Sequence, residues 1–513
     1  MGKAKISVSG QIKTRLNICA GTVAMVTLVS VVSGDIFTSS LKVKRLVQEE
    51  AKVLDELKRY IDLQYDRLKT FSNFYTDRVR DINLNGQSKL LEDLHHPNAV
   101  YRAIKRFSSD YAQVLGENLE SFRRSMATSR VPFEAGVGDI RGASLSLLRL
   151  QSVYHLKAMD MAEGDYLGYY GPPLTVQDTF EVGQLAFSES MLNASVEWLN
   201  VTLDLLAHPD PDSAIVYTLS PAHVKALMGR VHLYAGNVQM ARSYYDEVRF
   251  SEPLSGDAQE LGVELHSRPR AKPREEMGYF QNFSRLCSLD NRLHVPKPLH
   301  PSMICRYREA LLPYYRFKEE ILSVRPFASV VYNVTSDTES EILKDRVKHQ
   351  LVRGQIGGSH EGHVSDLRTS DLGWVWDNES PVAAEISLRI KHLTGLEVAQ
   401  KFPEGPTSAE PFQVVNYGLG GHYEVHLDPF EDGTSPLPAL KHSGNRIATF
   451  LMYLSDVTRG GSTVFTKADI AVPPIKAFFR LVYGFCDLPL SSSFQGWLDS
   501  FDHGIIRFLQ HGE

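Results

Sequence analysis

The chain has 513 residues, is 43% hydrophobic and 23% charged, and carries a formal net charge of −6. That composition is globular rather than fibrous or disordered, and the length accommodates two to four domains. The slightly acidic balance comes with no basic stripe or RNA-binding motif, which argues against a nucleic-acid partner.

Lys3, Lys5, Lys13 and Arg15 precede the apolar run from Ile18 to Val32, which gives way to Ser33 and Gly34. A basic stretch, a short apolar run and small residues before Asp35 predict a cleaved secretory signal over residues 1–34. The run is about fifteen residues, short of the roughly twenty that span a bilayer. The alternative is a signal anchor, and no later segment is apolar enough to span. Sequons at Asn193, Asn200, Asn282, Asn333 and Asn378 fit a secretory lumen and a glycoprotein. Cys19 falls in the signal, which leaves Cys287, Cys305 and Cys486. In an oxidising compartment Cys287 and Cys305 could close a short loop; otherwise all three are unpaired and buried.

Residues 41–72 predict one long helix. Val47, Leu54, Ile61 and Leu68 recur every seven residues, with Leu57 and Phe71 at offset positions and Glu50 and Gln64 interrupting. This imperfect heptad seam implies helix pairing or a coiled-coil dimer; the alternative is an amphipathic helix packed on its own domain. Residues 97–170 continue in helical pieces. Residues 178–210 and 219–248 predict two helix pairs, the second with the helix–turn–helix texture of a tetratricopeptide unit around a Gly-Asn turn. A polar, proline-containing stretch at 250–275 reads as a linker. From about residue 305, short β-branched and aromatic runs such as "PFASVVYNV", "FQVVNYG" and "RIATFLMYLSDV" alternate with Gly/Pro turns. Two helices, "SEILKDRVKHQL" and "AAEISLRIKHLTGL", interrupt them. Helices followed by such a module predict an α+β multidomain chain ending in a double-sheet β fold of jelly-roll type.

The chemistry concentrates in "NYGLGGHYEVHLDPF", residues 416–430. If "HYEVHLD" is a strand, His426 and Asp428 point to one face. A neutral imidazole and a carboxylate there would supply two-thirds of the two-His-one-carboxylate set of non-haem Fe(II) oxygenases. His422 and Glu424 have the same spacing, so the pattern alone leaves two pairs open. A zinc hydrolase built from His422, Glu424 and His426 is disfavoured, because HxExH on a strand lacks the i, i+4 helical spacing of zincins.

"NYGLGGHYEVHLD", then "GNRIATFLMYLSDVTRGGSTVF", then "VPPIK" resemble the catalytic domain of collagen prolyl 4-hydroxylase α-subunits. "DIFTSSLKVKRLVQEEAKVL" is similar to that family's mature N-terminus and dimerising helices, "LTGLEVAQ" and the Cys287/Cys305 pair also fit, and the likeness runs to about Lys476. The resemblance implies a helical N-terminal dimerisation domain at 35–170 and a tetratricopeptide-like peptide-binding domain at 171–250. It further implies a linker at 251–304 and a double-stranded β-helix (jelly-roll) dioxygenase domain at 305–513, incomplete at its C-terminus. It makes His426 and Asp428 ligands of Fe(2+), and His422 not a ligand. Tyr417 would contact 2-oxoglutarate, while Tyr423 and Tyr234 would meet a proline-rich or collagen-like peptide. L-ascorbate would be a further cofactor, protein disulfide isomerase the β-subunit of an α₂β₂ assembly, and the endoplasmic reticulum lumen the location. The terminal "QHGE" is no retention signal, so a partner would hold the chain there.

After Lys476 the likeness stops. The family's distal histidine ligand and its cosubstrate-binding lysine have no counterpart. His503 is the one substitute for the third ligand, Arg507 lies four residues beyond it, and His511 and Glu513 stand at the terminus. Near Trp198, where the family has tyrosines, this chain has Leu192 and Asn193. Two functions follow: a procollagen-proline 4-dioxygenase subunit, or a catalytically impaired paralogue that dimerises and binds proline-rich peptides.

Overall fold

The computed structural model describes residues 40–93, 95–128, 136–208, 219–267, 278–289, 292–297, 300–356, 363–398, 400, 408–429, 445–457, 459–476, 478–483 and 502–510, the last two stretches through their backbone. The expected signal, Cys19, Cys486, His511 and Glu513 lie outside these residues. Two compact units, 1–80 and 81–513, divide the chain.

Helix α1 spans Ser40–Asp93, well past the predicted 41–72. It contains no proline and only one glycine, Gly86. The interruptions at Glu50 and Gln64 are good helix formers, so they break the apolar seam without breaking the helix. That seam is bare: Val47, Leu54, Leu57, Ile61 and Leu68 are 42–62% exposed.

The second unit continues with α2 (Pro97–Lys105), a π-turn, α3 (Tyr111–Leu115), α4 (Leu119–Thr128), α5 (Val137–Tyr154) and α6 (Ala158–Glu163). Tyr101, Leu147, Leu148, Met161, Tyr166 and Trp198 form their core. Two helical hairpins follow, α7 (Val176–Ser188) with α8 (Leu192–Ala207) and α9 (Pro221–Tyr234) with α10 (Val238–Ser251). Their starts are specified locally. Thr175 and Asp178 form a capping box on α7, Ser220 caps α9 ahead of a proline at its first position, and Asn237 caps α10.

The expected linker contains two helices. α11 (Gly256–Ser267) buries Ala258 and Leu261 against the second hairpin. α12 (Phe280–Cys287) buries Phe283, Leu286 and Cys287 with Val153 of α5 and with Val464 and Ala471 of the β region. The expected Cys287–Cys305 bond is not formed: Cys287 sits in this apolar cluster, whereas Cys305 is exposed on an edge strand.

The β region comprises β1 (Cys305–Glu309), β2 (Arg316–Val324), β3 (Phe327–Tyr332), β4 (Val352–Arg353), β5 (Gln355–Ile356), β6 (His363–Val364), β7 (Asp371–Val375), β8 (Phe412–Tyr417), β9 (Arg446–Tyr453), β10 (Thr463–Phe465), β11 (Ile470–Val472), β12 (Phe478–Tyr483) and β13 (Asp502–Gln510). Nine of them form one sheet in the order β1-β2-β3-β12-β9-β13-β8-β7-β4, and β10–β11 and β5–β6 are two-stranded ladders. Helices α13 (Asp337–Val347) and α14 (Pro381–Thr394) cover one face.

Strand periodicity divides the core. Phe412, Val414, Ala448, Phe450 and Met452 pack with Leu343, Val347, Ile386 and Ile390 of those helices. Val415, Tyr417, Leu451 and Tyr453 point the other way and cluster with Leu372. This second face carries the site.

Candidate metal centre

Chain direction changes at Gly418–Gly421, just after β8. Gly420 has φ +55°, and a Cβ there would stand 2.7 Å from the Cβ of Ser146 on α5. A Cβ on Gly421 would meet the carbonyl oxygens of Gly418 and Thr369 at 2.9 Å. Only glycine lets the turn lie this close to its neighbours. The segment beyond is not a continuous strand. It borders the residues before β7 through a bridge between Arg368 and Tyr423 and the bonds Thr369 N to His422 O and Glu424 N to Leu367 O, each 2.9 Å.

His426 and Asp428 nonetheless converge. His426 Nδ1 lies 2.8 Å from the Glu424 carbonyl, which makes Nδ1 the protonated nitrogen. Nε2, left with its lone pair, is 3.3 Å from Asp428 Oδ1. A lone pair and a carboxylate that close repel unless a cation stands between them, either a second proton or a metal ion. Two metal bonds of ~2.1 Å at an angle near 100° would span ~3.2 Å, so the pair fits a divalent metal.

The carboxylate is held from behind. Thr449 Oγ1 donates to Asp428 Oδ2 at 2.5 Å, and Arg446 Nη1 donates to the Asp428 carbonyl at 3.2 Å. Arg446 is itself fixed by Glu410, Nε to Oε1 at 2.8 Å and Nη2 to Oε2 at 3.0 Å. Burial raises the Glu410 carboxyl despite Arg446. Burial also opposes ionisation of Asp428, but His426, Thr449 and Arg446 outweigh it and hold its carboxyl below the usual range.

His422 belongs to a different cluster. It is fully buried, its Nδ1 lies 2.7 Å from Thr369 Oγ1, and its Nε2 lies 3.5 Å from Glu424 Oε1. Tyr279 O–H donates to Glu424 Oε2 at 3.2 Å. Burial, aided by the charge of Arg149, pushes His422 down to about 4, so it is neutral at physiological pH. Among the described residues no three His, Cys, Asp or Glu side chains gather around one point.

Tyr423 stacks on His426, ring centroids 3.7 Å apart, and lies under the Arg368 guanidinium at 4.7 Å. Tyr417 is fully buried on the site face of β8, where burial lifts its phenol far above the ordinary range against the opposing charge of Arg368. Tyr234 is remote in the fold, on the last turn of α9, edge-on to Phe187 at 5.2 Å. Asn193, Asn200, Asn333 and Asn378 are exposed. Asn282 is half-buried, its Nδ2 donating to the Thr466 carbonyl, and Ser284 is buried with its hydroxyl donating to the Val153 carbonyl.

In β13, His503 registers with Asn416 and Arg507 with Phe450. Directly opposed residues share a face. Positions 503, 505 and 507 therefore fall on the face of Val414, Phe450 and Met452, while Asp502, Gly504, Ile506 and Phe508 register with Tyr417, Val415, Leu451 and Thr449. His503 thus falls at a strand position of opposite parity to the positions in register with Tyr417 and Thr449. Thr449, Arg446, Glu410 and Arg368 escaped the sequence reading. The one available signal was Thr449, a hydroxyl within the otherwise apolar run "ATFLMY".

Helical hairpins, a large antiparallel sheet and a His-x-Asp pair closing on one point define a multidomain α+β chain with a candidate pair of metal ligands. The family model described as "Prolyl 4-Hydroxylase alpha-subunit, N-terminal region" matches residues 39–168. Prolyl 4-hydroxylase subunit alpha-3 of Homo sapiens is 27% identical over 475 residues, covering 86% of this chain and 85% of that protein. Subunit alpha-2 of Caenorhabditis elegans is 26% identical over 477 residues, 88% and 85% covered, and subunit alpha-1 of Bos taurus 27% over 486, 86% of each. The chain is thus similar to prolyl 4-hydroxylase α-subunits over most of its length. Among the described residues no helix is long and apolar enough to cross a membrane.

Proposed function

We propose that the chain is a procollagen-type prolyl 4-hydroxylase α-subunit of the endoplasmic reticulum lumen, assembled with protein disulfide isomerase and paired with a second copy through α1. The observation that carries this reading is the 3.3 Å approach of His426 Nε2 to Asp428 Oδ1 behind a glycine turn. In it the hairpins α7–α10 are the tetratricopeptide-like domain for a proline-rich peptide, with Tyr234, and the sheet is the double-stranded β-helix.

His426 and Asp428 would hold Fe(II). Glu424 fixes the His426 tautomer through its carbonyl, and Thr449 and Arg446 aim the carboxylate, the outer-shell orientation that metal ligands need. Tyr417 would contact 2-oxoglutarate and Tyr423 would line the peptide groove. When bound, iron with 2-oxoglutarate and O₂ would supply the oxidation at C4 of a peptidyl proline, with ascorbate keeping iron reduced.

The parity of His503 favours a second reading, in which the oxygenase centre is impaired and the subunit dimerises and binds peptide. Succinate formation separates the two. Purified with its partner and given Fe(II), ascorbate and 2-oxoglutarate, an active subunit releases succinate only when a (Pro-Pro-Gly)-type peptide is added, and Asp428→Ala abolishes it. Peptide binding without any succinate would leave the second reading standing.

A further inference from the structure

Residues 424–426 belong to no continuous strand, so a ladder does not hold the segment that presents His426. The Glu424 N–H donates to the Leu367 carbonyl at 2.9 Å, and the Glu424 carbonyl accepts from His426 Nδ1 at 2.8 Å. That carbonyl sets the turn of the imidazole, and with it whether Nε2 faces Asp428. Its own direction depends on how firmly the rest of Glu424 is held.

The Glu424 carboxylate reaches a junction of helices and sheet. Tyr279 O–H donates to Oε2 at 3.2 Å, His422 Nε2 lies 3.5 Å from Oε1, and the charge of Arg149 on α5 acts on the same group. Tyr279 makes the closer of the two measured contacts, and it comes from outside the sheet. It stands at the start of α12, where its carbonyl accepts from Phe283 N at 2.9 Å. The helix is itself fixed: Phe283, Leu286 and Cys287 are buried with Val153, Val464 and Ala471, and Arg285 pairs with Asp469. Val425 packs on that same cluster. One helix therefore backs two successive residues immediately before His426, Glu424 through a hydrogen bond and Val425 through packing.

We propose that Tyr279 is a positioning residue of the metal centre: its hydroxyl holds the Glu424 side chain, so that the Glu424 carbonyl turns His426 Nε2 towards Asp428. The inference rests on the metal-centre reading above. It makes α12, in a stretch expected to be a linker, part of the site. A hydroxyl donating to a carboxylate is among the stronger hydrogen bonds. Without it the Glu424 side chain, 27% exposed, would turn into water and leave its peptide unit less constrained.

The test titrates Mn(II) into the full chain with its partner, without cosubstrate, and reads free Mn(II) by electron paramagnetic resonance. Tyr279→Phe, which removes one hydroxyl, is expected to weaken Mn(II) binding by roughly 3–10-fold. That is less than the loss of a direct partner of a ligand, because Glu424 stands between. Arg285→Gln loosens the docking of α12 without touching Glu424 and is expected to bind Mn(II) as the wild type does. In a Glu424→Ala background, adding Tyr279→Phe is expected to change nothing further, since the route through the carboxylate is already gone. Should Glu424→Ala fail to fold, Glu424→Leu, which refills the space, serves as the same background. Wild-type affinity in Tyr279→Phe would overturn the assignment. So would an equal weakening by Arg285→Gln, or a Tyr279→Phe effect that persists undiminished without the Glu424 carboxylate. Failure of the wild type to retain Mn(II) would instead remove the metal-centre reading, and this assignment with it.

Discussion

A single histidine illustrates how burial sets chemistry here. His422 and His426 are four residues apart, yet one is sealed between Thr369 and Glu424 and the other is half-buried beside Asp428. His422 is held at about 4, below its ordinary value of about 6.5. The folded state thus binds the proton less readily than the unfolded chain. The stability that the neutral ring contributes is complete above pH ~6.5 and drains away as pH falls towards 4, by on the order of 3 kcal/mol if the whole shift is realised. Urea denaturation at a series of pH values is expected to give a steeper loss between pH 6.5 and 4 for the wild type than for His422→Gln. Parallel curves would mean that the ring titrates as if exposed. The same logic of local surroundings explains why Arg368 was hidden from the sequence. "SDLRTSDLG" has the polarity of a surface loop, and only the register against Tyr423 and Gln413 buries the guanidinium.

At the scale of elements, the glycine turn is the part on which the site depends most directly. Gly420 combines a left-handed φ with a backbone that abuts α5, so Gly420→Ala is strained twice. A loss of about 1–3 kcal/mol is expected, read from thermal or urea unfolding, together with weaker metal retention because the turn precedes both ligands. Gly418→Ala, with open space around its Cβ, is the control and is expected to cost less than about 1 kcal/mol. Equal effects at the two positions would show that the contact with Ser146 is not what fixes the turn. These elements were unequally legible in the sequence. The β-branched and aromatic runs "RIATFLMY" and "FQVVNY" were sufficient to recover β8 and β9, because both faces of the sheet are buried there and such strands read as nearly continuous apolar segments. The supposed linker misled because α11 buries two apolar side chains, Ala258 and Leu261, and otherwise docks through the pairs Asp257–His223 and Glu264–Arg230, a signal too sparse for periodicity to reveal. The pairing of β12 and β13 with β9 is non-local, and no property of either segment read alone could announce it.

For the whole molecule, α1 is the feature that an isolated chain leaves unexplained. A 54-residue helix with Val47, Leu54, Ile61 and Leu68 in the open leaves a seven-residue apolar stripe in water along its length. Helices of this kind draw most of their stability from packing an apolar face rather than from propensity. Those four positions are 44–62% exposed, so the stripe is open to a partner helix. A second copy of the helix would cover the seam, with Glu50 and Gln64 as the polar interruptions that limit register and strength. Sedimentation of the full chain with its partner is expected to give an assembly containing two copies of this chain. Leu54→Asp with Ile61→Asp is expected to shift it to one copy, since each places a carboxylate at the centre of the seam. Unfolding of the 81–513 unit is expected to change by no more than about 0.5 kcal/mol, because both substitutions are at exposed positions of the other unit. A wild-type protein that sediments with one copy, or a variant that keeps two, would show that the stripe serves something other than self-association.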